Sequence, residues 1–395
     1  MNEKKKEKKQ DQIRGSMIGG AVGDALGFPV EFLSEREIFY TYGPAGITDY
    51  VLHGGKALIS DDTQMLLFTA NGMLVAETKE RMSGSGRRLS GYVLDAYQDW
   101  MKTQYSDFDT IKKHARNTAK GGFSWLLDVP ELYAWRAPGN TCLYALHELE
   151  ETGYPADFIM ILVNNSKGCG GVMRIAPVAL RDKSFSNPEE QDMEAAQLAA
   201  ITHGHSLGYM PAAVVCHIIS GILKSYPEKT LKEIVLESRD MAEKLFKGDK
   251  HLPCLKEIID RAIRLSENGA SDRENIRKLG EGWVAEETMA IAIYCALKYQ
   301  NDFSKAITVS VNHEGDSDST GAVTGNIVGA IVGYDAIDEK WKKDLELHDV
   351  ILEMADDLYL GCPVSEGGEC EDSAWVSKYI EMRRTEDGSL SCILP

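Results

Sequence analysis

Nowhere in this 395-residue chain does an uninterrupted apolar run reach the roughly 18 residues that a membrane-spanning helix needs. Gly, Asn and charged side chains break each candidate, so nothing in the sequence reads as a membrane span. Positive charge is the second shortage. Against 61 Asp and Glu stand 43 Lys and Arg, for a net charge of −18, which would repel a nucleic-acid backbone unless a local basic patch offset it. Beyond Met1 to Gln10 there is no extended Lys/Arg stripe. Nucleic acid is therefore disfavoured as a partner except as a modified substrate, while cation binding stays open. The eight cysteines (Cys142, Cys169, Cys216, Cys254, Cys295, Cys362, Cys370 and Cys392) form no CxxC and lack the His spacing of a zinc site; they fit reduced thiols in a cytoplasm. The charged N-terminus is followed by no apolar h-region or small-residue cleavage site, so no secretory signal is read, and residues 1–11 are expected to form a basic, flexible tail. Walker A, HExxH, G-x-S-x-G and a strand-following G-x-G-x-x-G are all missing. Any chemistry must come from metal and carboxylates.

With 43% hydrophobic and 26% charged residues, the chain can bury a large core. Apolar residues recur at three- and four-residue spacing over 65–77, 89–101, 191–203, 211–223, 231–245, 255–265, 286–299 and 350–360, which predicts helices, whereas strand-like alternation is scarce. Two further helical segments, Gly15–Gly27 and Gly321–Gly333, are rich in glycine. Glycine weakens an isolated helix, and its repetition every four residues makes sense where backbones approach closely. The reading is one compact all-α domain over 12–360, followed by a polar extension over 361–395 with one short helix near Trp375 to Met382.

Two acidic clusters stand immediately ahead of apolar helical runs: Ser60-Asp61-Asp62-Thr63, and Glu314 to Gly321 with Asp316, Asp318 and Ser319. Alone, either is an ordinary helix start, with a cap and acids that complement the helix dipole. Together they offer the hard oxygen ligands that Mg²⁺ or Mn²⁺ prefers, and a dication would offset the mutual repulsion of the carboxylates. The second cluster is no EF-hand, because Ile327 occupies the twelfth position where a bidentate Glu is required. The loop Ser166 to Arg174, with Gly170, Gly171, Val172 and Met173, offers backbone amides and the Arg174 cation to an anionic ligand. Gly139, Asn140 and Thr141 stand at a helix start where phosphate could dock. Thr202-His203-Gly204-His205 is read as a polar lining, and Cys169 as a small loop residue with no base beside it in sequence.

Gly19 to Gly27 leading to Glu31, Ser60 to Thr63, Gly168 to Pro177, Thr202 to His205 and Gly315 to Gly325 together resemble the ADP-ribosylglycohydrolase family, which includes the dinitrogenase reductase-activating glycohydrolase. The resemblance covers roughly 13–360 in the family's order. It implies a compact all-α fold with a central site for two divalent ions, Mg²⁺ or Mn²⁺, held by Ser60, Asp61, Asp62, Asp316, Asp318 and Ser319; the family often has Thr in place of Ser60 and Ser319. It further implies Glu31, Asp61 and Asp316 as catalytic carboxylates, and Gly139 to Thr141, Gly170 to Arg174 and His203 as substrate contacts. The implied reaction is cleavage of the glycosidic bond between ADP-ribose and a modified protein, arginine-linked in preference, or a small ADP-ribosyl substrate. In it the ions hold the distal-ribose hydroxyls and a water while a ligand carboxylate takes the proton. A non-catalytic ADP-ribose binder or structural member of the family is the rival reading, and a metal-dependent phosphohydrolase a third. The complete oxygen-ligand set favours catalysis.

Overall fold

A computed structural model describes residues 3–84, 86–115, 124–153, 155–181, 184–365 and 368–382. Its helices are α1 (Glu3–Gly27), α2 (Glu35–Tyr42), α3 (Asp61–Ser83), α4 (Leu89–Tyr105), α5 (Phe108–Ala115), α6 (Asn140–Thr152), α7 (Ala176–Leu180), α8 (Pro188–Ala200) and α9 (Ser206–Ser225). They continue as α10 (Leu231–Leu245), α11 (Leu252–Ser266), α12 (Asp272–Arg277), α13 (Ala285–Tyr299), α14 (Phe303–Val311), α15 (Ser317–Val332), α16 (Glu339–Lys342), α17 (His348–Leu360) and α18 (Ser373–Trp375). The only described strands, β1 (Leu52–His53) and β2 (Lys56–Ala57), form a two-residue antiparallel hairpin. The all-α expectation holds, and every periodic segment named above lies within or overlaps a helix.

At the centre α1 runs antiparallel to α15. Gly15, Gly19, Gly23 and Gly27 face Gly329, Gly325, Gly321 and Ser317 in turn, and a Cβ built on any of the four would sit well inside van der Waals contact with the opposing backbone. Glycine spacing therefore sets both the closeness and the register of this pair. Asn326 locks it by donating to the Ser16 carbonyl at 2.8 Å, while Ser16 donates to the Asn326 carbonyl at 2.9 Å. Gly23→Ala is expected to push the helices apart and to cost about 1–3 kcal/mol or more. A urea midpoint unchanged by Gly23→Ala would show that the contact is looser than described.

Around this pair pack α14, α17, α13 and α9. By length and composition α9 could cross a membrane, yet most of it is buried inside the protein against α8, α10, α13 and α15. Pro211 lies within α9 and does not start it as the periodicity implies; the helix reaches back to Ser206, capped by His205, whose ring accepts the Leu207 amide at 3.0 Å.

The expected flexible tail is instead helical from Glu3 onward, continuous with α1. Gln10 donates to Asp356 at 2.9 Å, and the Asp11 carboxylate and carbonyl accept the Asp335 and Tyr334 amides at 2.9 and 3.0 Å. The extension after Leu360 packs back on the domain: Trp375 donates its indole N–H to Thr78 at 3.0 Å, and Lys378 lies buried against Asp357. Residues 383–395, including Cys392, lie outside the described residues.

Candidate metal centre and substrate loops

Because α1 and α15 are antiparallel and in fixed register, the C-terminal end of α1 meets the N-terminal end of α15. Asp24, the lone charge in Gly19 to Gly27, is fully buried there. Its two carboxylate oxygens accept the Ser60 amide at 2.9 and 3.1 Å, the Thr63 amide at 3.1 Å and the Thr63 hydroxyl. One side chain of α1 thus fastens the first turn of α3 beside the first turn of α15. Both helix N-termini carry positive partial charge that favours anionic groups.

Ser60 caps α3, accepting the Asp62 amide at 3.2 Å. Asp61 is fixed by its amide, which donates to the Arg136 carbonyl at 3.0 Å, and by its carboxylate, which accepts the Gly139 amide at 3.1 Å. Asp316 caps α15 by accepting the Ser319 amide at 3.1 Å, while Asp318 accepts the same amide at 2.9 Å. The helix therefore begins at Ser317, earlier than the Gly321 start read from sequence, and Asp318 and Ser319 belong to its first turn. Glu31 follows the short 3₁₀ turn Phe28–Val30 at the end of α1.

Asp24, Glu31, Asp61, Asp62, Asp316 and Asp318 are all buried. Burial is the first cause lifting the pKa of every one of them. For Asp24, Glu31, Asp61 and Asp62 the next is the charge of Asp318, and for Asp318 it is the charge of Asp316. Asp24 is raised to about 7 and Glu31 to about 11; Asp316 is raised by burial against opposing hydrogen bonds from its neighbours. Asp318 is accordingly the electrostatic centre of the cluster.

The family resemblance implies divalent ions here, and the donor set accommodates them. Glu31 Oε2 and Asp62 Oδ1 are buried without a hydrogen-bond partner, and an unpaired buried carboxylate oxygen is costly unless something positive meets it. Among the described residues no three acidic, thiol or imidazole groups are already drawn into a finished cage. The fit therefore rests on oxygen chemistry, burial and repulsion, which suit a hard dication. Ser60, Asp61, Asp62, Asp316, Asp318 and Ser319 lie together at the first turns of α3 and α15.

The loops divide differently. Gly139 and Asn140 are exposed at the open N-terminus of α6, with Thr141 half-buried and its hydroxyl 3.4 Å from that of Ser166. In the second loop only Ser166 to Cys169 are half-buried; Gly170, Gly171, Val172, Met173 and Arg174 are buried. Arg174 is not a cation offered to a ligand. It is fully buried, with its guanidinium 4.3 Å from the centre of the Tyr97 ring and donating to Thr202 Oγ1 at 2.7 Å and the Leu198 carbonyl at 3.4 Å. Thr202 also meets His203 Nδ1 at 2.9 Å. Burial and then the Arg174 charge push His203 down to about 3, so it is a neutral wall. A Cβ on Gly170 would come 2.8 Å from His203 Cε1 and 2.9 Å from Cys142 Sγ. Arg174→Ala is thus expected to leave Thr202 underbonded, cost about 1–3 kcal/mol, and weaken metal and ADP-ribose binding together. Calorimetry showing loss of ADP-ribose affinity alone, at unchanged stability, would return Arg174 to the ligand.

Cys169 donates its thiol to Asp316 Oδ2 at 2.7 Å, and burial with the charge of Asp316 raises its pKa well above the usual thiol range. It stays protonated and supports the Asp316 carboxylate; it is no nucleophile.

Two features escape sequence reasoning. Asp24 could have been suspected as the single charge in a glycine-rich helix. The segment Gly280 to Ala285 carries no sequence signal, yet its Glu281 carbonyl accepts the Asp316 amide at 2.8 Å, its Trp283 carbonyl accepts the Cys169 amide at 3.3 Å, and its Ala285 amide donates to the Lys167 carbonyl at 2.9 Å. It stitches the α15 cap to the glycine loop.

Comparison with known proteins bears on this arrangement. The family model for ADP-ribosylglycohydrolase matches residues 5–367. The chain is similar to human ADP-ribosylhydrolase ARH3, 27% identical over 221 residues, which is 49% of this chain and 58% of that protein. It is also similar to ADP-ribosylhydrolase ARH3 of Danio rerio, 28% identical over 220 residues, 49% of this chain and 57% of that one. The matched stretch spans little more than half the length of these relatives. A solved chain titled ADP-ribosylglycohydrolase-related protein complex superimposes with a TM-score of 0.54 at 23% identity, covering 90% of this chain and 99% of its own; at that identity it bears on the fold alone. With the family model matched from α1 to the end of the domain, the chain belongs to the ADP-ribosylglycohydrolase family, a family of glycosidic hydrolases.

Proposed function

We propose that this protein releases ADP-ribose from an ADP-ribosylated substrate, an arginine-linked protein in preference, using two divalent ions, Mg²⁺ or Mn²⁺, held by Ser60, Asp61, Asp62, Asp316, Asp318 and Ser319. The observation that carries the proposal is the cluster of six buried carboxylates around Asp318, lifted by burial and by one another at the meeting of two helix N-termini. Cytoplasmic residence is the matching proposal for a chain whose described cysteines are all free.

Bound ions would supply electrophilic polarisation of the ribose hydroxyls and the attacking water. The chain's own residues do the rest. Asp61 or Asp316 accepts a proton from the water as its oxygen bonds to the anomeric carbon, the bond to the leaving atom breaks, and that atom departs with the electron pair and takes up a proton. Oxocarbenium-like charge on the ribose is met by the surrounding carboxylate oxygens. Glu31, buried with the cluster, orients the water or the leaving group in this reading. The Asn140 and Thr141 amides at the open start of α6 hold the pyrophosphate and adenosine, which keeps the anomeric carbon over the carboxylates.

The test is to offer the purified protein, with Mg²⁺ or Mn²⁺, arginine-, serine- and nucleic-acid-linked ADP-ribose. Release of free ADP-ribose, fastest from the arginine linkage, is expected. Phosphate release without ADP-ribose would make it a phosphohydrolase, and binding of ADP-ribose with no turnover of any substrate would make it a binding protein.

A further inference from the structure

Beside the carboxylate cluster, two aromatic rings are left on the surface. Phe32, immediately after Glu31, is 71% exposed, and Trp283 is 38% exposed. Their rings stack, with centroids 5.7 Å apart and planes 26° from parallel. Neither residue is free to drift from the site. Trp283 is fixed through its carbonyl to the Cys169 amide, and Cys169 holds Asp316. On the other side Glu35, just past Phe32, is gripped by Arg273 and by Arg277, the latter at 2.6 Å.

Lys167 is paired with Glu286, and Arg273 with Arg277 holds Glu35; Glu31 and Asp316, the nearest members of the cluster, are buried. An exposed aromatic stack is complementary to a planar cation, which it can meet over a ring face. An alcohol or a neutral base gains much less from it.

We propose that the Phe32–Trp283 stack is a platform for the leaving group, and that it selects a guanidinium attached to the ribose over a hydroxyl-linked group. The inference rests on the hydrolase reading above and adds its substrate class. Trp283 and Phe32 are positioning residues. The outer ring face receives the guanidinium and holds the bond to be broken next to Glu31, while the ADP-ribose half is gripped elsewhere.

Phe32→Ala, Trp283→Ala and the conservative Trp283→Phe should be compared with the unaltered protein, all loaded with Mn²⁺. For arginine-linked ADP-ribose, KM is expected to rise about tenfold in the two alanine variants, the scale of one cation–π contact, with rescue in Trp283→Phe. The affinity for free ADP-ribose and the KM for serine-linked substrate are expected to stay within about twofold, well below the effect of a single lost contact. Guanidinium analogues such as agmatine should quench tryptophan emission in the unaltered protein and not in Trp283→Phe. Because the Phe32 ring lies on the surface, Phe32→Ala tests the idea even if Trp283→Ala fails to fold. Equal losses on both substrates together with weaker ADP-ribose binding, or no change with either in Phe32→Ala, would overturn the platform. An unaltered protein that hydrolyses neither substrate would overturn the hydrolase reading itself, which the agmatine titration does not depend on.

Discussion

Asp318→Asn is expected to abolish most turnover, by about a hundredfold or more if it removes a ligand that orients the reacting water, while leaving the metal-free protein as stable as before or more so. Both halves follow from its position. Asp318 is the charge felt most strongly by Asp24, Glu31, Asp61 and Asp62, so removing it weakens the attraction for a dication and relieves the repulsion that burdens the empty cluster. Its remaining structural task, accepting the Ser319 amide, is one that an asparagine oxygen performs equally well. Asp316→Asn should follow the same pattern, with a smaller gain in stability because its carboxylate also receives the Cys169 thiol. Were these aspartates only helix caps, the substitutions would leave activity near its original value and cost about 1 kcal/mol of stability or less. Thermal melts in chelator, run beside a hydrolysis assay, separate the two cases.

The second large effect is on pH dependence. Carboxylates whose pKa is higher in the folded protein than in the unfolded chain make the folded state bind more protons, so stability falls as pH rises from the unfolded value, about 4, through the folded one. For Asp24 that value is about 7 and for Glu31 about 11. His203, held down to about 3, acts in the opposite sense, adding stability as pH rises, but its contribution is complete once the pH passes the unfolded imidazole value of about 6.5. Between pH 7 and 9 the carboxylates act, joined toward the upper end by buried thiols such as Cys169, Cys216 and Cys295, whose raised pKa lowers stability in the same direction once unfolded thiols ionise at about 8.5. The metal-free protein should therefore lose melting temperature steadily across that range, and saturating Mn²⁺ should flatten or reverse the slope by favouring the ionised forms. A metal-free melting temperature that holds constant or rises from pH 7 to 9 would show that the cluster is not held protonated, and that its charges are balanced by something other than a dication.

How much of this was legible from sequence depends on whether the signal is local. The helices were, because amphipathic spacing is a property of adjacent turns, and α10 spans Leu231–Leu245 as its apolar spacing indicates. The two acidic clusters were legible as well, since a cap and an acidic first turn are written within four residues. That they meet was suggested only by their shared composition; in the structure it follows from the Gly15 to Gly27 and Gly321 to Gly333 stripes, which fix the register of α1 on α15. Arg174 shows the limit. In a glycine-rich loop a cation looks available to a ligand, and only the tertiary contacts with Tyr97 and Thr202 reveal that it supports the loop from beneath. Trp283 was invisible for the same reason, and Asp24 showed only as a lone charge with no stated task, as each acts on segments more than 30 residues away by way of a few hydrogen bonds. The N-terminal residues misled in the other direction: a run of lysines and glutamates resembles a solvated tail, yet Gln10 and Asp11 have partners near the C-terminal end of the domain that hold the helix in place.

On the proposed reading, the Asp318-centred cluster works by holding divalent metal for glycosidic hydrolysis. That role is tested most directly by following free ADP-ribose released from an arginine-linked substrate before exhaustive chelation, after it with metal content checked, and after Mg²⁺ or Mn²⁺ is restored. Turnover should vanish with the metal and return with it; undiminished turnover by the metal-free protein would contradict a metal-dependent mechanism.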